Sequence, residues 1–369
     1  MQNLQDKKIA ITHDYLIEYG GTEMVLWELL KIFPQADVYT ALFKPTKRKR
    51  DFWITVEKHI TQTSFINKLP FIRKTWKIFM PFYIRFFQKL DLSKYDLVIS
   101  SSAAFAKYIN TDKGTKHVAY IHTPPRFLWG YDTSVFHKIP APFRFLARPI
   151  LNKWRKLDKK YVGQADVLLA NSHYIQSKIK EVYNAQAKDL FPPVAIESIL
   201  NAPKQEPQDF YLTIGRIYDY KKIDVIVKAF VENKEKLVVI GDGPQRQKLE
   251  KIATKNIQIL GFVDEDAKVK LLKQCKAFVF AADEDFGIVM VEALAAGKPV
   301  IAYRKGGALE IVQEGKTGLL FSEQTPKSLN QAIEKFQSLK YSEDQIIASS
   351  KNFTTKNFRK NIQSAIMPL

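Results

Sequence analysis

The strongest constraint on the fold is an alternation of short apolar runs with stretches of helical character. Runs such as KKIAITH (7–13), YDLVISSS (95–102) and KHVAYIH (116–122) are mainly apolar and end in polar residues. Strands of a parallel sheet have this pattern, because helices cover both faces of the sheet. Segments with apolar residues at helical spacing, such as TEMVLWELLKIF (22–33), separate the runs. The alternation predicts an α/β fold with doubly wound sheets.

A proline-rich segment divides this series into two. Prolines recur through residues 191–210, and a second set of apolar runs extends from FYLTIG (210–215) to TGLLF (317–321). A chain of 369 residues also exceeds the usual size of a single core. We therefore predict two Rossmann-like domains, over 1–193 and 194–352, that face each other across a cleft. In such sheets ligands bind at the carboxyl ends of the strands.

Composition narrows the class of protein. The net charge is +19, from 57 Lys and Arg against 38 Asp and Glu, which predicts an anionic partner or reflects a lysine-rich composition alone. Cys275 is the only cysteine, so no disulfide can form within the chain, and a reducing compartment such as the cytosol is expected. We find neither a signal-peptide pattern nor an apolar run near the roughly 20 residues of a membrane span.

The most informative segment is AADEDFGIVMVEALAAGKPVIAY (281–303). Its pattern places Glu284 in a loop at the end of a strand and Glu292 in the second turn of the helix that follows. The first N–H groups of that helix have no partner inside it and can bind an anion. These groups belong to Gly287, Ile288 and Val289. The plain alternative is an acidic helix cap with Glu292 in solvent, and the whole context favours a functional site.

Two cations follow the first strand of the second series. Arg216 and Lys221 lie between the end of that strand and the start of the next helix. Arginine binds phosphates as a fork and lysine as a point charge, so the pair could hold a diphosphate and stabilise a leaving nucleoside diphosphate. Surface basicity in a lysine-rich chain is the alternative.

Two features of the first domain have weaker signals. Gly20 and Gly21 at the first turn could hold a phosphate or simply form a tight turn, with Thr22 as the expected helix cap. His122 ends a strand and is expected to face the cleft, although a lone histidine is more often structural.

Together these segments resemble glycosyltransferase family 4. The family's E-x7-E signature matches Glu284 through Glu292, and its glycine-arginine pair and downstream lysine match residues 215–216 and Lys221. Its glycine-rich first loop matches Gly20–Gly21, and its strand-end histidine matches His122. Segments 122–129 and 170–183 also look like bacterial members that build O-antigen or capsule. The resemblance extends over nearly the whole chain.

The resemblance implies a GT-B fold and a retaining, metal-independent transfer of a sugar, by front-face attack assisted by the leaving phosphate. Residues 1–193 would bind the acceptor, 194–352 the nucleotide sugar, and 353–369 would form a helix that packs back on the first domain. GDP-mannose is the favoured donor, with a UDP-sugar as the alternative. The acceptor would be a lipid-linked glycan at the inner face of the plasma membrane. No cofactor is expected.

The resemblance also assigns roles to single residues. Arg216 and Lys221 would bind the donor diphosphate, and Glu284 the hydroxyls of the donor sugar. Glu292 would bind the ribose, and His122 would lie near the reacting face of the sugar. The remaining contacts would come from the backbone at Gly287, Ile288 and Val289, from Gly20 and Gly21, and from Val263 beside the base.

Two departures from the family pattern concern loop shape. Lys222 replaces a frequent glycine, and residues 306–310 lack a frequent proline.

Residues 44–89 combine twelve Lys or Arg, two acidic residues and ten aromatic residues. Lysines interleaved with aromatic residues suit an interfacial patch on an anionic membrane. The alternative is an amphipathic segment whose apolar side packs in the core, and both predictions stay open.

Three other classes compete with a glycosyltransferase. A GT-B epimerase would act on the nucleotide sugar alone. A nucleic-acid-binding protein would explain the charge, but no recognition motif supports it and no nucleic acid partner is expected. A metal-dependent GT-A enzyme would use the acidic triplets 264–266 or 283–285, and the two cations make such a metal redundant.

Overall fold

The structure is a computed structural model that describes residues 6–129 and 141–367. The chain divides into two compact units. Unit 1 contains the chain up to Pro193 together with the segment from Lys356 onward, and unit 2 contains Val194–Thr355.

Unit 1 is built on a parallel sheet with the strand order β3-β2-β1-β4-β5-β6-β7 in the described residues. Its strands are β1 (Ile9–His13), β2 (Asp37–Thr40), β3 (Ile60–Thr63), β4 (Leu97–Ser102), β5 (Lys116–Ile121), β6 (Val167–Ala170) and β7 (Lys188–Asp189). Every residue of β1 and β4 is buried, as expected for central strands covered on both faces. Chain order reverses between the neighbours β1 and β4, which makes this the switch point of the sheet.

Helices cover the sheet of unit 1 on both faces. They are α1 (Gly21–Ile32), α2 (Arg50–His59), α3 (Ile72–Thr75), α4 (Met80–Gln88), α5 (Arg126–Trp129), α6 (Ala141–Val162), α7 (His173–Tyr183) and α16 (Thr355–Ile366), with 3₁₀ turns at Phe65–Lys68 and Trp76–Phe79. The C-terminal helix α16 buries Phe358, Ile362 and Ile366 in the same core as α1. Arg359 on α16 also pairs with the buried Glu28 of α1 at 2.6 Å.

Unit 2 has a parallel sheet with the order β10-β9-β8-β11-β12-β13. Its strands are β8 (Tyr211–Ile214), β9 (Leu237–Ile240), β10 (Ile257–Gly261), β11 (Ala277–Phe280), β12 (Val300–Tyr303) and β13 (Gly318–Phe321). Its helices are α8 (Glu197–Asn201), α9 (Ile223–Asn233), α10 (Arg246–Ile252), α11 (Glu265–Gln274), α12 (Ile288–Ala295), α13 (Ala308–Ile311), α14 (Pro326–Gln337) and α15 (Glu343–Ser350), with 3₁₀ turns at Asp219–Lys221 and Lys351–Phe353. The switch point lies between β8 and β11.

The predicted α/β class with two doubly wound sheets is confirmed. Each apolar run named from the sequence forms a strand, whereas β2 and the edge strands β3 and β7 were not predicted. Two middle residues of β3 are exposed, and β7 has two residues, so neither strand has the apolar run on which the prediction depends.

Candidate active site

The loops after β8 and β11 bring the predicted charged residues of unit 2 to one edge of its sheet. The two strands are parallel neighbours, with Ala277 opposite Tyr211 and Phe278 opposite Leu212. Their carboxyl ends therefore meet at the switch point, where doubly wound sheets bind ligands. Arg216 and Lys221 come from the loop after β8, and Glu284 comes from the loop after β11.

Lys221 and Glu284 form an ion pair across the two loops. Their side chains are mostly buried. Tyr220, which the sequence analysis did not single out, contacts both cations. Arg216 donates a hydrogen bond to the Tyr220 hydroxyl at 3.2 Å, and the Lys221 ammonium lies 5.5 Å from the centre of the Tyr220 ring. Tyr220 thus contacts both cations, and one of these, Lys221, pairs with the carboxylate.

A glycine pair fixes the backbone of the acidic loop. The Gly307 N–H donates to the carbonyl of Glu284 at 2.9 Å. A side chain at Gly306 would bring its Cβ to 2.1 Å from that same carbonyl oxygen, and Gly306 has a left-handed backbone with φ of 65°. Only glycine fits such a close approach without displacing the loop. Lys305 lies 2.9 Å from Asp283, whose hydrogen bond raises the pKa of the lysine despite partial burial.

Helix α12 starts beside this loop, as the sequence predicts. Gly287 is the N-cap in a left-handed conformation with φ of 99°, and a Cβ there would lie 2.3 Å from the end of the Met290 side chain. The N–H groups of Gly287, Ile288 and Val289 therefore lie at the open end of the helix. That end attracts anions because the helix dipole places partial positive charge there.

Glu292 lies in the second turn of α12 and has a partner that the sequence analysis missed. Lys268 of α11 lies 3.0 Å from Glu292 and 2.6 Å from Glu265. Burial of Lys268 disfavours its charge, but the two carboxylates outweigh this effect and raise the pKa of the ammonium. Lys268 is one of several lysines on α11, so only the packing of α11 on α12 distinguishes it.

The second acidic triplet has a structural role. Asp264 caps α11 by accepting a hydrogen bond from the Ala267 N–H at 2.7 Å, and Glu265 pairs with Lys268. Within the described ranges no three His, Cys, Asp or Glu side chains converge as metal ligands. Val263 precedes the triplet, after β10, and is two strands away from β8 at the same edge of the sheet.

The glycine loop of unit 1 places the N-cap of α1 two residues earlier than predicted. Gly20 is the N-cap, Gly21 is the first helical residue, and no side chain caps the helix. The predicted cap at Thr22 is therefore wrong, because the extended backbone of Gly20 already provides the turn into the helix.

His122 belongs to a buried chain of polar side chains at the carboxyl edge of the unit 1 sheet. Its Nε2 lies 2.7 Å from the Ser101 hydroxyl, which lies 3.2 Å from Nδ1 of His13. Nε2 of His13 lies 3.5 Å from the Glu23 carboxylate in the first turn of α1. Burial, together with the nearby His13, lowers the pKa of His122 to about 3. His122 is 6% exposed and hence neutral at physiological pH.

The basic aromatic stretch is divided between core and surface. Phe52, Trp53, Tyr83 and Phe87 are buried in the cores of unit 1. Five apolar side chains between residues 65 and 82 are exposed instead: Phe65, Leu69, Phe71, Ile78 and Phe82, here called the apolar set. Exposed cations lie among them in sequence, namely Lys68, Arg73, Lys77 and Arg85. Core packing thus applies to the buried part of the stretch, and the membrane patch stays a prediction for the exposed part.

No helix in the described ranges combines the length and the apolar character that crossing a bilayer requires.

Two family models match the chain, one in each half. The model described as Glycosyltransferase Family 4 matches residues 19–191, which include Gly20, Gly21 and His122. The model described as Glycosyl transferases group 1 matches residues 196–353, which include the charged residues at the β8–β11 edge. A curated relative, the D-rhamnosyltransferase WbpZ of Pseudomonas aeruginosa, is 27% identical over 204 residues, 50% of this chain and 54% of that protein. The chain thus spans about half the length of this relative.

Solved structures are similar over almost the whole chain. The lipopolysaccharide outer core galactosyltransferase WaaB, in its apo form, has a TM-score of 0.68 and 18% identity over 98% of this chain and 99% of its own. Anabaena HepE, in complex with UDP and glucose, also has a TM-score of 0.68 and 18% identity, over 98% of this chain and 100% of its own. At this identity the likeness concerns the fold, and the predicted GT-B class is confirmed.

Proposed function

Because the chain belongs to the group 1/family 4 glycosyltransferases, we propose that it moves a hexose from a nucleotide sugar to a lipid-linked glycan, with retention of configuration. Its product would enter cell-surface polysaccharide or lipopolysaccharide. Two names support this proposal: WbpZ is called a D-rhamnosyltransferase, and WaaB a lipopolysaccharide outer core galactosyltransferase.

The observation that carries the proposal is the charged edge between β8 and β11. Arg216, Lys221 and the open end of α12 offer positive charge at the switch point of the unit 2 sheet. A nucleoside diphosphate is the ligand that needs such an arrangement. The same groups can stabilise the charge that develops on the diphosphate as the bond to the sugar breaks.

We assign Glu284 and Glu292 to the neutral parts of the donor. Carboxylates accept hydrogen bonds from hydroxyls, and Lys221 and Lys268 hold the two side chains in place. Glu284 would bind sugar hydroxyls near the reacting carbon, and Glu292 the ribose. Val263 would lie beside the base, and His122 would contribute from unit 1.

The donor we favour is GDP-mannose. The resemblance to O-antigen mannosyltransferases supports this choice, and the complex of HepE with UDP supports a UDP-sugar as the alternative. Thermal denaturation of the full chain with GDP, UDP and their sugars tests the choice. A ligand that binds only the folded protein raises its melting temperature. At a concentration 100 times its Kd, the ligand adds about 2.7 kcal/mol to the free energy of unfolding. A larger rise with UDP compounds than with GDP compounds would contradict the choice of GDP-mannose.

Transfer activity tests the site itself. Arg216→Ala and Glu284→Ala should each lower kcat/KM by at least about 100-fold, because each removes a contact to the diphosphate or the reacting sugar. Lys228→Ala is the matched control, since Lys228 is an exposed cation on the neighbouring helix α9 and pairs only weakly with Asp224 at 3.5 Å. Full activity in either site variant would refute the assignment. Activity that persists in excess chelator is expected, and its loss would contradict a metal-independent reaction.

We also propose that the apolar set rests on an anionic membrane. Phe71 is 81% exposed and has a left-handed backbone with φ of 57°. Such a backbone costs a bulky residue about 1 kcal/mol, and an exposed phenylalanine recovers none of it by packing. Strained and exposed aromatic residues among cations suit a lipid interface.

Vesicle sedimentation tests this membrane contact. Wild type should bind vesicles that contain phosphatidylglycerol and should not bind neutral phosphatidylcholine vesicles. The reason is that exposed cations supply about 1 kcal/mol each near an anionic surface. Phe71→Ser with Ile78→Ser should weaken binding. Ile252→Ser, a change at an exposed apolar residue of unit 2, is the control. Equal binding by all variants would contradict the proposed contact.

A further inference from the structure

The polar chain that ends at His122 is buried at every link. The side chains of His13 and Glu23 are 2% and 8% exposed, and Ser101 is fully buried. Its members come from β1, β4, the end of β5 and the start of α1, and the first two strands flank the switch point of the unit 1 sheet. A buried polar chain has to satisfy its hydrogen bonds internally, so the position of each proton depends on its neighbours.

The donor and acceptor in each of these hydrogen bonds follow from Glu23, the last member of the series. A carboxylate only accepts, so the ring nitrogen of His13 that faces it, Nε2, carries a proton. At about pH 8, where an ordinary imidazole is neutral, the other ring nitrogen is then an acceptor. Nδ1 of His13 therefore accepts from the Ser101 hydroxyl at 3.2 Å.

The orientation of the Ser101 hydroxyl in turn determines which ring nitrogen of His122 carries the proton. Since its single proton points to His13, the Ser101 oxygen is left as an acceptor for Nε2 of His122 at 2.7 Å. His122 is then protonated on Nε2, and its Nδ1 retains a lone pair. We propose that Glu23, His13 and Ser101 are positioning residues that hold His122 as the Nε2-protonated tautomer, so that Nδ1 accepts a hydrogen bond from a substrate hydroxyl.

The N-cap of α1, Gly20, lies next to this series of side chains. A Cβ at Gly20 would lie 3.4 Å from an oxygen of Glu23, so the loop runs close past the carboxylate that orients the chain. The proposal rests on the proposed function only for the identity of the hydroxyl, which would belong to the sugar that is transferred or to its acceptor. The tautomer itself depends on unit 1 alone.

A second serine–histidine pair in the same strands provides a matched control. Ser100 of β4 lies 2.9 Å from Nε2 of His117 at the start of β5, and both residues are buried. Ser100 and Ser101 are consecutive in a strand, so their side chains point to opposite faces of the sheet. Ser100→Ala thus removes the same kind of buried hydrogen bond without touching His122.

Nitrogen NMR of the histidine rings tests the proposal directly. Uniformly ¹⁵N-labelled full chain is recorded at about pH 8, where an ordinary imidazole is neutral, and His122 is assigned from its loss in His122→Gln. The wild type should show His122 protonated on Nε2. Ser101→Ala should add the Nδ1-protonated form, as should Glu23→Gln, whose amide can donate to His13 and reverse the chain. Ser100→Ala should leave His122 unchanged.

Wild-type His122 protonated on Nδ1, or a single Nε2 tautomer that survives both Ser101→Ala and Glu23→Gln, would overturn the proposal. If Ser101→Ala does not fold, Glu23→Gln at the sheet edge decides alone.

Kinetics adds an independent readout. Ser101→Ala should lower kcat about tenfold and leave KM for the nucleotide sugar within about twofold, since one orienting hydrogen bond is lost and the donor contacts stay intact. Unchanged kcat with a mixed tautomer would overturn the role of Nδ1. A wild type without transfer activity would refute the proposed function, and the ring spectra would still decide the tautomer.

Discussion

The two units share one topology at their switch points but differ in the chemistry at those edges. In unit 2 the edge is charged and partly exposed. Two cations contact Tyr220, and one of them, Lys221, also pairs with the carboxylate of Glu284. In unit 1 the edge is buried, with two imidazoles and a serine in series that end at the carboxylate of Glu23. A charged edge recognises a charged group by attraction, whereas a buried series of hydrogen bonds fixes donor and acceptor positions. The two edges therefore differ in exposure and in the kind of group that each could recognise.

The largest effect is expected where the backbone of the charged edge is displaced. Gly306→Ala places a methyl 2.1 Å from the Glu284 carbonyl oxygen, so the acidic loop has to shift, and kcat/KM should fall about 100-fold. Gly315→Ala is the control, because Gly315 has a similar φ of 77° and nothing within 4 Å of the added Cβ. Both variants should lose about 1 kcal/mol of stability from the left-handed backbone. An equal loss of activity in both variants would show that backbone strain alone causes it. The close approach of Gly306 to Glu284 would then not be needed for activity.

A smaller effect is expected from Lys268. Lys268→Met leaves Glu292 without its cation and should raise KM for the donor about tenfold. The pKa of Lys268 is raised in the folded protein, so its contribution to stability is present below its ordinary pKa and is lost as pH rises through the folded value. Wild type should therefore lose stability above about pH 10.5 more steeply than Lys268→Met. Parallel urea midpoints for the two proteins from pH 9 to 11.5, roughly the range of lysine titration, would contradict this role.

How much the sequence predicts differs between the two edges. The predicted residues of unit 2 lie in two continuous segments, where spacing alone relates each residue to a strand end or a helix start. They are Arg216, Lys221, Glu284 and Glu292. The hydrogen-bonded side chains of unit 1 come from residues that are far apart in sequence. His13 and Ser101, for example, are separated by 88 positions. Their proximity depends on the pairing of β1 with β4, which no local pattern encodes. The sequence therefore predicts the motif and not its supporting partners.

The same reason explains the partners missed in unit 2. Lys268 resembles its lysine neighbours on α11 until that helix packs on α12. The aromatic stretch 44–89 shows the limit of composition, because its count of aromatic residues does not distinguish the buried Phe52 from the exposed Phe71. That distinction depends on which side of each short helix meets the core.

Acid should destabilise unit 1 through the buried His117. Burial lowers the pKa of His117 to about 4, so the unfolded chain binds more protons than the folded chain between about pH 6.5 and pH 4. Stability is then complete above the unfolded value and falls with decreasing pH across this window. His117→Asn should reduce the loss between pH 7 and pH 5 by on the order of 1–2 kcal/mol, measured by urea unfolding. His59→Asn, a change at a partly exposed histidine, is the control variant. Identical slopes in all three proteins would contradict a buried, neutral His117.

The smallest effect concerns Lys222, the departure from the family's glycine. Lys222 has a left-handed backbone with φ of 55°, immediately before α9, and Lys234 has φ of 65° at the end of the same helix. Glycine adopts this conformation without the steric cost that other residues bear, so Lys222→Gly and Lys234→Gly should each stabilise the protein by about 0.5–1 kcal/mol. Only Lys222 adjoins Lys221 at the charged edge, so only its replacement should change KM for the donor, by less than about threefold. A change of KM in both variants would mean that helix α9 as a whole sets the affinity, and a change in neither would mean that the loop tolerates lysine and glycine alike.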